Sequence, residues 1–358
     1  MHQAATLFRT LSAVCLLLCL SVKPALSAPW ADALQLEVAR IDAASPGQLG
    51  VYVKRLAGGE TFSYGGDKTL WYLGSTVKVP IAIAVLQQVD AGKLRLGDEV
   101  TLLDTDKIEA GQLVWRKSGS IITINELLNK MLGISDNTAA NMLMRVVGEE
   151  QVNASARAAM GREGFQKITT LAQVRYDVYA ELHPDARKLT NAQLVQIAAA
   201  PQGPQRVEGV RNALGVSGSE LNAKTIDEAY ARYYKTGVNA ATLQAYATML
   251  EKLVTGKLLS AQSTQRLFTD MKLNIFTNYR VQAGLPRSVR FIHKTGTQYQ
   301  RACHSGVINP ENGGAQAIIV AVCAADIDEQ NAAGKVFEQV GRAITQKVLT
   351  PKDMAQAK

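Results

Sequence analysis

The sequence, 358 residues long, has little of what metal and nucleotide sites need. Its paired glycines, Gly58-Gly59 and Gly65-Gly66, are typical of turns, and no glycine-rich phosphate loop is present. No metal-ligand spacing occurs among the four histidines, which are His2, His183, His293 and His304. We therefore predict that the protein uses neither a metal nor an organic cofactor.

Long runs of one charge are also missing. Lysine and arginine outnumber aspartate and glutamate by 39 to 31, a formal net charge of +8, but they are scattered along the chain. Without a basic run or interleaved aromatic residues, nucleic-acid binding is not expected. A scattered basic excess instead favours anionic small molecules. With 47% hydrophobic residues, the composition is that of a globular protein with one large or two smaller domains.

One long apolar run, Leu11–Val22, lies near the N-terminus. The small residues that follow it are typical of a signal peptide, which we predict to be cleaved after Ser27. The run is short for a membrane span, and no later segment replaces it. Cys15 and Cys19 lie inside it without the small preceding residue that lipid attachment requires. The sequence thus predicts a secreted or periplasmic protein without a stable membrane anchor.

Removal of residues 1–27 leaves two cysteines, Cys303 and Cys323. The stretches 301–309 and 315–322 flank a turn and predict a β-hairpin. Counting outward from that turn places the two cysteines nearly opposite each other. An exported chain commonly bridges such a pair, so we expect a disulfide, with two buried free thiols as the alternative.

The order of elements predicts two structural units. Residues 28–66 and 285–358 form an α/β domain, and residues 67–284 form an all-α domain with an inserted helical excursion at about 205–237. The sequence therefore predicts an antiparallel sheet built from both chain ends, with the helical block between them. Residues 161–189 are expected to be irregular.

Ser75 and Lys78 form the first candidate site. They stand three residues apart where a short aromatic run gives way to a helical pattern over 77–89, with Pro80 near its start. This spacing places the lysine amine within reach of the serine hydroxyl on one helix face. A lysine in a desolvated pocket has a lowered pKa and can take the proton of a serine nucleophile. An ordinary surface lysine is the alternative.

Ser135, Asp136 and Asn137 form the second candidate, at a loop-to-helix junction. A second hydroxyl here can pass a proton to a leaving group, while the asparagine amide can hold a substrate carbonyl. A plain helix cap made by Asp136 or Ser135 is the competing interpretation.

Lysine-threonine-glycine occurs twice in the sequence. Lys235–Gly237 lies between two helical patterns, where its glycine ends a helix. Lys294–Thr297 instead ends the alternating run 289–293, which predicts a strand that presents a charge and a hydroxyl to a pocket. Its glycine lets a substrate approach the backbone. We assign a function only to the second copy.

In this order and context, the three motifs resemble those of the penicillin-recognising serine hydrolases, which are the class A β-lactamases and penicillin-binding proteins. Residues Ser135–Asn141 are similar to class A in particular. The resemblance covers nearly the whole chain after residue 27, apart from the excursion at 205–237. It implies a β-lactamase/transpeptidase-like α/β fold of the α+β type, with an antiparallel five-stranded sheet flanked by terminal helices.

The resemblance also implies a role for each motif residue. Ser75 would be the acylated nucleophile, Lys78 its proton partner, and Ser135 the proton donor to the lactam nitrogen. Asn137 would hold the side-chain amide of the substrate. The backbone N–H groups of Ser75 and Thr297 would form the oxyanion hole. The substrate carboxylate and backbone would be bound by Lys294, Thr295, Gly296, Thr297 and Arg301.

Release of the acyl group is the step where the resemblance is incomplete. Class A enzymes carry a glutamate, on the loop after the Ser135 helix, that activates a water molecule. In the corresponding stretch, Glu181 matches part of the family pattern, and His183 stands where asparagine is expected. Glu181 is the first candidate for the base and Asp177 the second. A solvated loop carboxylate is the alternative for Glu181.

The implied function is that of an exported, monomeric serine β-lactamase that opens β-lactam rings through an acyl-Ser75 intermediate. Its substrate would be a β-lactam or a peptidoglycan-like acyl compound. A D-alanyl-D-alanine peptidase or penicillin-binding protein with slow acyl release is the alternative. A non-catalytic penicillin-sensing module is the alternative of another class, although the sequence shows no signalling domain.

Overall fold

A computed structural model describes residues 28–272 and 279–355 of the chain. The predicted signal peptide, with Cys15 and Cys19, lies outside the described residues. No helix within the described ranges combines the length and the apolar character needed to cross a bilayer.

Nine strands are present in the described chain, and five of them form one sheet. Their bounds are β1 Gln48–Arg55, β2 Thr61–Tyr64, β3 Trp71–Tyr72, β4 Glu99–Thr101, β5 Ile121–Thr123, β6 Ala240–Ala241, β7 Phe291–Gln298, β8 Arg301–Ile308 and β9 Ile318–Ala325. The large sheet has the order β2-β1-β9-β8-β7, and every neighbouring pair is antiparallel. The prediction of a five-stranded antiparallel sheet made from both chain ends is confirmed.

The helices surround this sheet and fill the middle of the chain. Their bounds are α1 Pro29–Ala43, α2 Lys78–Asp90, α3 Ile124–Gly133, α4 Asn137–Val147, α5 Glu149–Met160, α6 Leu171–Leu182, α7 Asn191–Ala198, α8 Pro204–Leu214, α9 Ile226–Tyr234, α10 Leu243–Val254, α11 Ala261–Lys272, α12 Ala332–Lys347 and α13 Pro351–Ala355. The residue numbers at which the two domains meet stay a prediction.

The central strand β9 shows how the layers are arranged. All eight of its residues are buried. Val320 and Val322 pack with the terminal helices α1 and α12, while Ile319 and Ala321 pack with the helical block. Successive side chains of a strand point to opposite faces, so an uninterrupted apolar run is what a strand covered on both faces requires.

Helix α2 is the centre of the helical block. Its first nine residues, Lys78–Leu86, are all buried. A helix that is apolar all round must lie inside the protein, and α2 is surrounded by helices α3, α4, α5 and α11. The turn that leads into α2 packs against β7, the edge strand of the large sheet, and against β8.

The expectation of an irregular segment at 161–189 is wrong, because most of its second half is helix α6. Thr170 caps this helix by accepting a hydrogen bond from the N–H of Gln173 at 3.1 Å. The apolar residues Val174 and Val178 then pack into a hydrophobic core formed with residues of α8 and α9. The helical excursion at 205–237 thus covers the outer side of α6.

A disulfide joins Cys303 and Cys323, as the hairpin register predicts. The two residues are direct partners across β8 and β9, and each is 1% exposed. The bond lies on the sheet face that packs against the helical block, since Cys303 Sγ also contacts the backbone oxygen of Tyr72.

Candidate active site

Ser75 lies in a single 3-10 turn, Gly74–Val77, that runs directly into α2. The turn is preceded by β3, which pairs with β6, and by a hydrogen bond from Leu73 N to Asn239 O at 2.9 Å. Gly74 has a φ of 53°, which a glycine adopts without strain. The chain therefore delivers Ser75 to the first turn of a helix, as the sequence predicts.

Lys78 connects the first two motifs. Its Nζ lies 3.1 Å from Ser75 Oγ and 3.1 Å from Ser135 Oγ. It also lies 2.6 Å from the Ser135 backbone oxygen and 2.6 Å from Asn137 Oδ1. Burial, and then the positive charge of Lys294, hold the pKa of Lys78 well below its ordinary value.

A neutral Lys78 amine can make three of these four contacts at a time. Its two N–H groups can donate to the backbone oxygen of Ser135 and to Asn137 Oδ1, which are acceptors only. The lone pair then remains for the proton of one hydroxyl, either that of Ser75 or that of Ser135. In this state Lys78 lies within hydrogen-bond distance of Ser75 Oγ and can accept its proton.

Ser135 stands between two lysines. Besides its contact with Lys78, its hydroxyl accepts a hydrogen bond from Lys294 Nζ at 2.9 Å. Ser135 has a φ of 60°, while its neighbour Asp136 caps α4 by accepting from Ala139 N at 2.9 Å. The capping role therefore belongs to Asp136, and the Ser135 side chain is left for the cavity.

Strand β7 brings the third motif to the same place. Lys294 is fully buried, and burial together with the charge of Arg280 lowers its pKa to about 7. Gly296 packs on the chain before the nucleophile, since a Cβ built there would lie 2.1 Å from Leu73 O and 3.2 Å from Ser75 N. This contact brings the backbones of Ser75 and Thr297 close together in the cavity wall.

These groups line one cavity of about 320 Å³. Its lining includes the motif residues Ser75, Ser135, Asn137, Thr295 and Thr297. Other described residues on its wall are Tyr72, Gly74, Glu109, Ala110, Gly111, Ile134, Leu171, Arg175, Tyr279, Gln298 and Gln330. The lysine residues Lys78 and Lys294 lie directly behind this lining.

Arg301 does not line the cavity. Its guanidinium pairs with Asp326 at 2.9 Å and lies 4.3 Å from the centre of the Tyr234 ring, beside a separate surface pocket. The cation next to the third motif is Arg280, which is 1% exposed and donates to Gly296 O and to Thr297 Oγ1, at 2.8 and 2.9 Å. No sequence motif marks Arg280.

Glu181 and Asp177 also lie outside the described lining. The Asp177 carboxylate accepts hydrogen bonds from Gln173 and Arg187, and the Glu181 backbone oxygen accepts from Ala223. Helix α6 instead presents Leu171 and Arg175 to the cavity, four residues apart on one helix face. Among the described lining residues, Glu109 is the one carboxylate.

Glu109 and Arg175 form an ion pair in the cavity wall. The side chains are 21% and 11% exposed. Burial acts to lower the pKa of Arg175. The negative charge of Glu109 and the nearby phenol oxygens outweigh this effect and raise the pKa of Arg175 well above its ordinary value. Arg175 is therefore charged at neutral pH and is held against the Glu109 carboxylate.

Comparison with known proteins gives the family. A model of the "Beta-lactamase enzyme family" matches residues 33–348. The chain belongs to the β-lactamase enzyme family. β-Lactamase OXY-1 of Klebsiella oxytoca is 26% identical over 283 residues, which are 79% of this chain and 78% of that one. A β-lactamase of Rhodobacter capsulatus is 32% identical over 117 residues, only 33% of this chain and 40% of that one.

The solved structure entitled "Structure of PBP-A" has a TM-score of 0.65 with this chain at 22% identity, and the match covers 89% of this chain and 97% of that one. This likeness supports the β-lactamase/transpeptidase-like fold, and the family supports a hydrolase that acts on β-lactams.

Two buried histidines lie behind the third motif. Val281 N donates to His304 Nδ1 at 3.2 Å, so the proton of His304 is on Nε2, 2.8 Å from His293 Nδ1. Burial and the charge of Lys294 lower the pKa of His293 to about 3. Burial, and then His293 and the nearby cations, lower the pKa of His304 well below its ordinary value.

Both histidines should therefore make the protein sensitive to acid. As the pH falls below about 6.5, the unfolded chain takes up their protons and the folded protein does not. Each should remove up to about 1.4 kcal/mol of unfolding free energy per pH unit until its folded-state pKa is reached. We expect urea unfolding of His293→Gln, between pH 7.5 and 4.5 (roughly the range in which histidine titrates), to show a shallower loss than wild type.

His183→Gln is the control for this experiment, because His183 directly follows the last residue of α6 and is part-exposed. It should keep the wild-type slope. An unchanged slope in His293→Gln would mean that the buried pair takes up protons without unfolding.

Proposed function

We propose that the protein is an exported serine hydrolase that is acylated at Ser75 by β-lactams. The observation that carries this proposal is the 3.1 Å contact between Ser75 Oγ and the Nζ of a lysine whose pKa is lowered by burial. It supplies both requirements of serine nucleophilic catalysis, which are a hydroxyl open to the cavity and a neutral base beside it.

The acylation step follows from the positions of these atoms. Ser75 Oγ attacks the lactam carbonyl carbon, and its proton moves to Lys78. The backbone N–H groups of Ser75 and Thr297 receive the developing oxyanion. The C–N bond then breaks, and the lactam nitrogen takes a proton through Ser135, whose hydroxyl contacts both lysines. The product is an ester between the opened lactam and Ser75.

Substrate binding is assigned to the ends of the cavity. Lys294, with Thr295 and Thr297, provides a cation and hydroxyls for the carboxylate of the lactam. Asn137 receives the side-chain amide. In the free protein both ends of the Asn137 amide are engaged, with Lys78 and with the backbone oxygen of Glu109 at 2.9 Å.

Release of the ester requires a water molecule and a base, and here the geometry favours a slow step. Glu181 and Asp177 lie outside the cavity lining, and the carboxylate of Glu109 is held by Arg175. We therefore favour a long-lived acyl-enzyme, as in the penicillin-binding alternative, within an overall β-lactam-hydrolysing reaction.

Intact-protein mass spectrometry tests both the acylation of Ser75 and the slow release of the ester. The chain without residues 1–27 is mixed with benzylpenicillin, freed of excess drug, and followed over time. We expect an adduct of one penicilloyl group that clears slowly, with the same lifetime in Glu181→Gln. Absence of both an adduct and penicilloate would refute acylation, whereas penicilloate that accumulates without a detectable adduct would refute the slow step. A longer lifetime in Glu181→Gln would restore Glu181 as the base.

A further inference from the structure

The guanidinium of Arg175 has donors that the protein does not use. Its Nε donates to Glu109, and its Nη1 lies 2.6 Å from Tyr230 Oη and 3.4 Å from Gln298 Oε1. A guanidinium has five N–H groups, two of them on Nη2. Within residues 28–272 and 279–355, Nη2 of Arg175 has no hydrogen-bond partner. Arg175 also lies on the cavity wall, so these two N–H groups are available to a ligand.

Arg175 and Lys294 lie at different places along the cavity. Lys294 and Gln298 are four residues apart on β7, which corresponds to about 13 Å along a strand. Lys294 contacts Ser135, whereas Gln298 contacts Arg175. Ser75 packs near Gly296, between these two ends. The cavity is therefore long, with the nucleophile in its middle and a cation at each end.

The charge around the cavity is also unbalanced. Lys294, Arg175 and Arg280 lie in or behind its wall, whereas Glu109 is the one carboxylate among its described lining residues and Asp136 lies behind Gly111. Arg175 keeps its charge at every physiological pH, because arginine is not deprotonated in proteins. A ligand with one carboxylate would satisfy only the Lys294 end.

We infer that Arg175 forms a second carboxylate subsite, which selects substrates whose acyl side chain carries a carboxylate. This inference rests on the proposed acylation at Ser75 and assigns the substrate class of that site. The ring carboxylate lies at Lys294, and the side-chain carboxylate accepts hydrogen bonds from the two N–H groups of Arg175 Nη2. Glu109 and Tyr230 hold the guanidinium in place for this contact.

Matched pairs of penicillins test the subsite. Benzylpenicillin is compared with carbenicillin, which adds a carboxylate to the side-chain α-carbon. The hexanoyl amide of the penicillin nucleus is compared with the adipoyl amide, whose chain ends in a carboxylate. Rapid-quench intact-mass measurement gives the second-order rate constant of Ser75 acylation for each compound. The wild type should acylate the carboxylate-bearing member faster in at least one pair.

The variants separate charge recognition from structural support. Arg175→Gln combined with Glu109→Gln removes both charges of the pair without leaving either one unpaired. In this double variant the ratio of rates within the preferred pair should fall at least about tenfold. Arg175→Lys should retain part of the preference. Arg187→Gln is the matched control, because Arg187 pairs with Asp177 and is 56% exposed, and it should keep the wild-type ratio.

The outcomes are distinguishable. Equal rates within both pairs in the wild type, or an unchanged ratio in the double variant, would overturn the subsite while leaving the proposed function standing. No adduct with any of the penicillins in the wild type would overturn the proposed function and the subsite together. If the double variant were less stable but kept the wild-type ratio of rates, Arg175 would serve only to support α6.

Discussion

Ser75→Ala should abolish covalent labelling by benzylpenicillin, and Lys78→Met should slow it by about two to four orders of magnitude. In the proposed mechanism, the first change removes the atom that forms the ester. The second removes the base that lies 3.1 Å from that atom, and methionine fills the same buried space without a charged group. Intact-mass spectrometry at a series of drug concentrations measures both effects.

The wild-type rate should also rise with pH, because protonation of the Lys78 amine removes its lone pair. Lys235→Met is the control, since this lysine belongs to the other lysine-threonine-glycine copy and is exposed at the end of α9. It should leave the rate unchanged. Labelling that persisted in Ser75→Ala would place the nucleophile elsewhere in the protein.

Gly296→Ala should cost at least about a hundredfold in the acylation rate, because it separates the two N–H groups that receive the oxyanion in the proposed mechanism. The added Cβ would lie 2.1 Å from Leu73 O, which is closer than real Cβ atoms approach a neighbour, so β7 must move away from Ser75. The obstacle is a backbone oxygen, which cannot rotate aside. The rate is measured as above, on protein whose folded fraction is first checked by urea unfolding.

Gly97→Ala provides a matched control for this substitution. A Cβ at Gly97 would have no heavy atom within 4 Å, and its φ is outside the left-handed region. It should acylate at the wild-type rate. A wild-type rate in Gly296→Ala would instead indicate that the close contact with the Ser75 turn has no part in the reaction.

The local part of this site is predictable from the sequence. Serine and lysine three residues apart at a helix start share one helix face, and Ser75 and Lys78 are in contact. The two lysine-threonine-glycine copies differ because one follows a helical pattern and the other an alternating one. The hairpin register likewise determines which residues face each other, so the pairing of Cys303 with Cys323 follows from the positions of the turn and the two strands.

Arg280 cannot be found in this way. It reaches Thr297 from a turn in which its own φ is 55°, and that turn is held on α12 by the close approach of Gly284 and Gly341. Neither the turn nor the approach has a periodic pattern. Arg280 and Lys294 are brought together only by tertiary packing, which a single sequence does not encode locally.

The sequence motifs do not identify Arg175, for a different reason. The family pattern matches this stretch only in part, with Glu181 and Asp177 as candidates for the expected glutamate, and implies a loop around them. The helix signal is nevertheless present, since Thr170 followed by Gln173 is a capping pattern and Val174, Val178 and Leu182 recur at helical spacing. That helix places Leu171 and Arg175, not Glu181, on the face next to the cavity.

The tyrosine contacts behind the cavity connect the helical excursion to the candidate active site. Ring centres of Tyr72 and Tyr234 are 4.9 Å apart, those of Tyr234 and Tyr230 are 5.6 Å apart, and those of Tyr230 and Tyr299 are 5.1 Å apart. Tyr230 also holds the guanidinium of Arg175. Deletion of the excursion would remove the aromatic residues behind the cavity and the Tyr230 contact of Arg175 together. A change in the excursion is therefore expected to alter the wall of the cavity as well as the surface of α6.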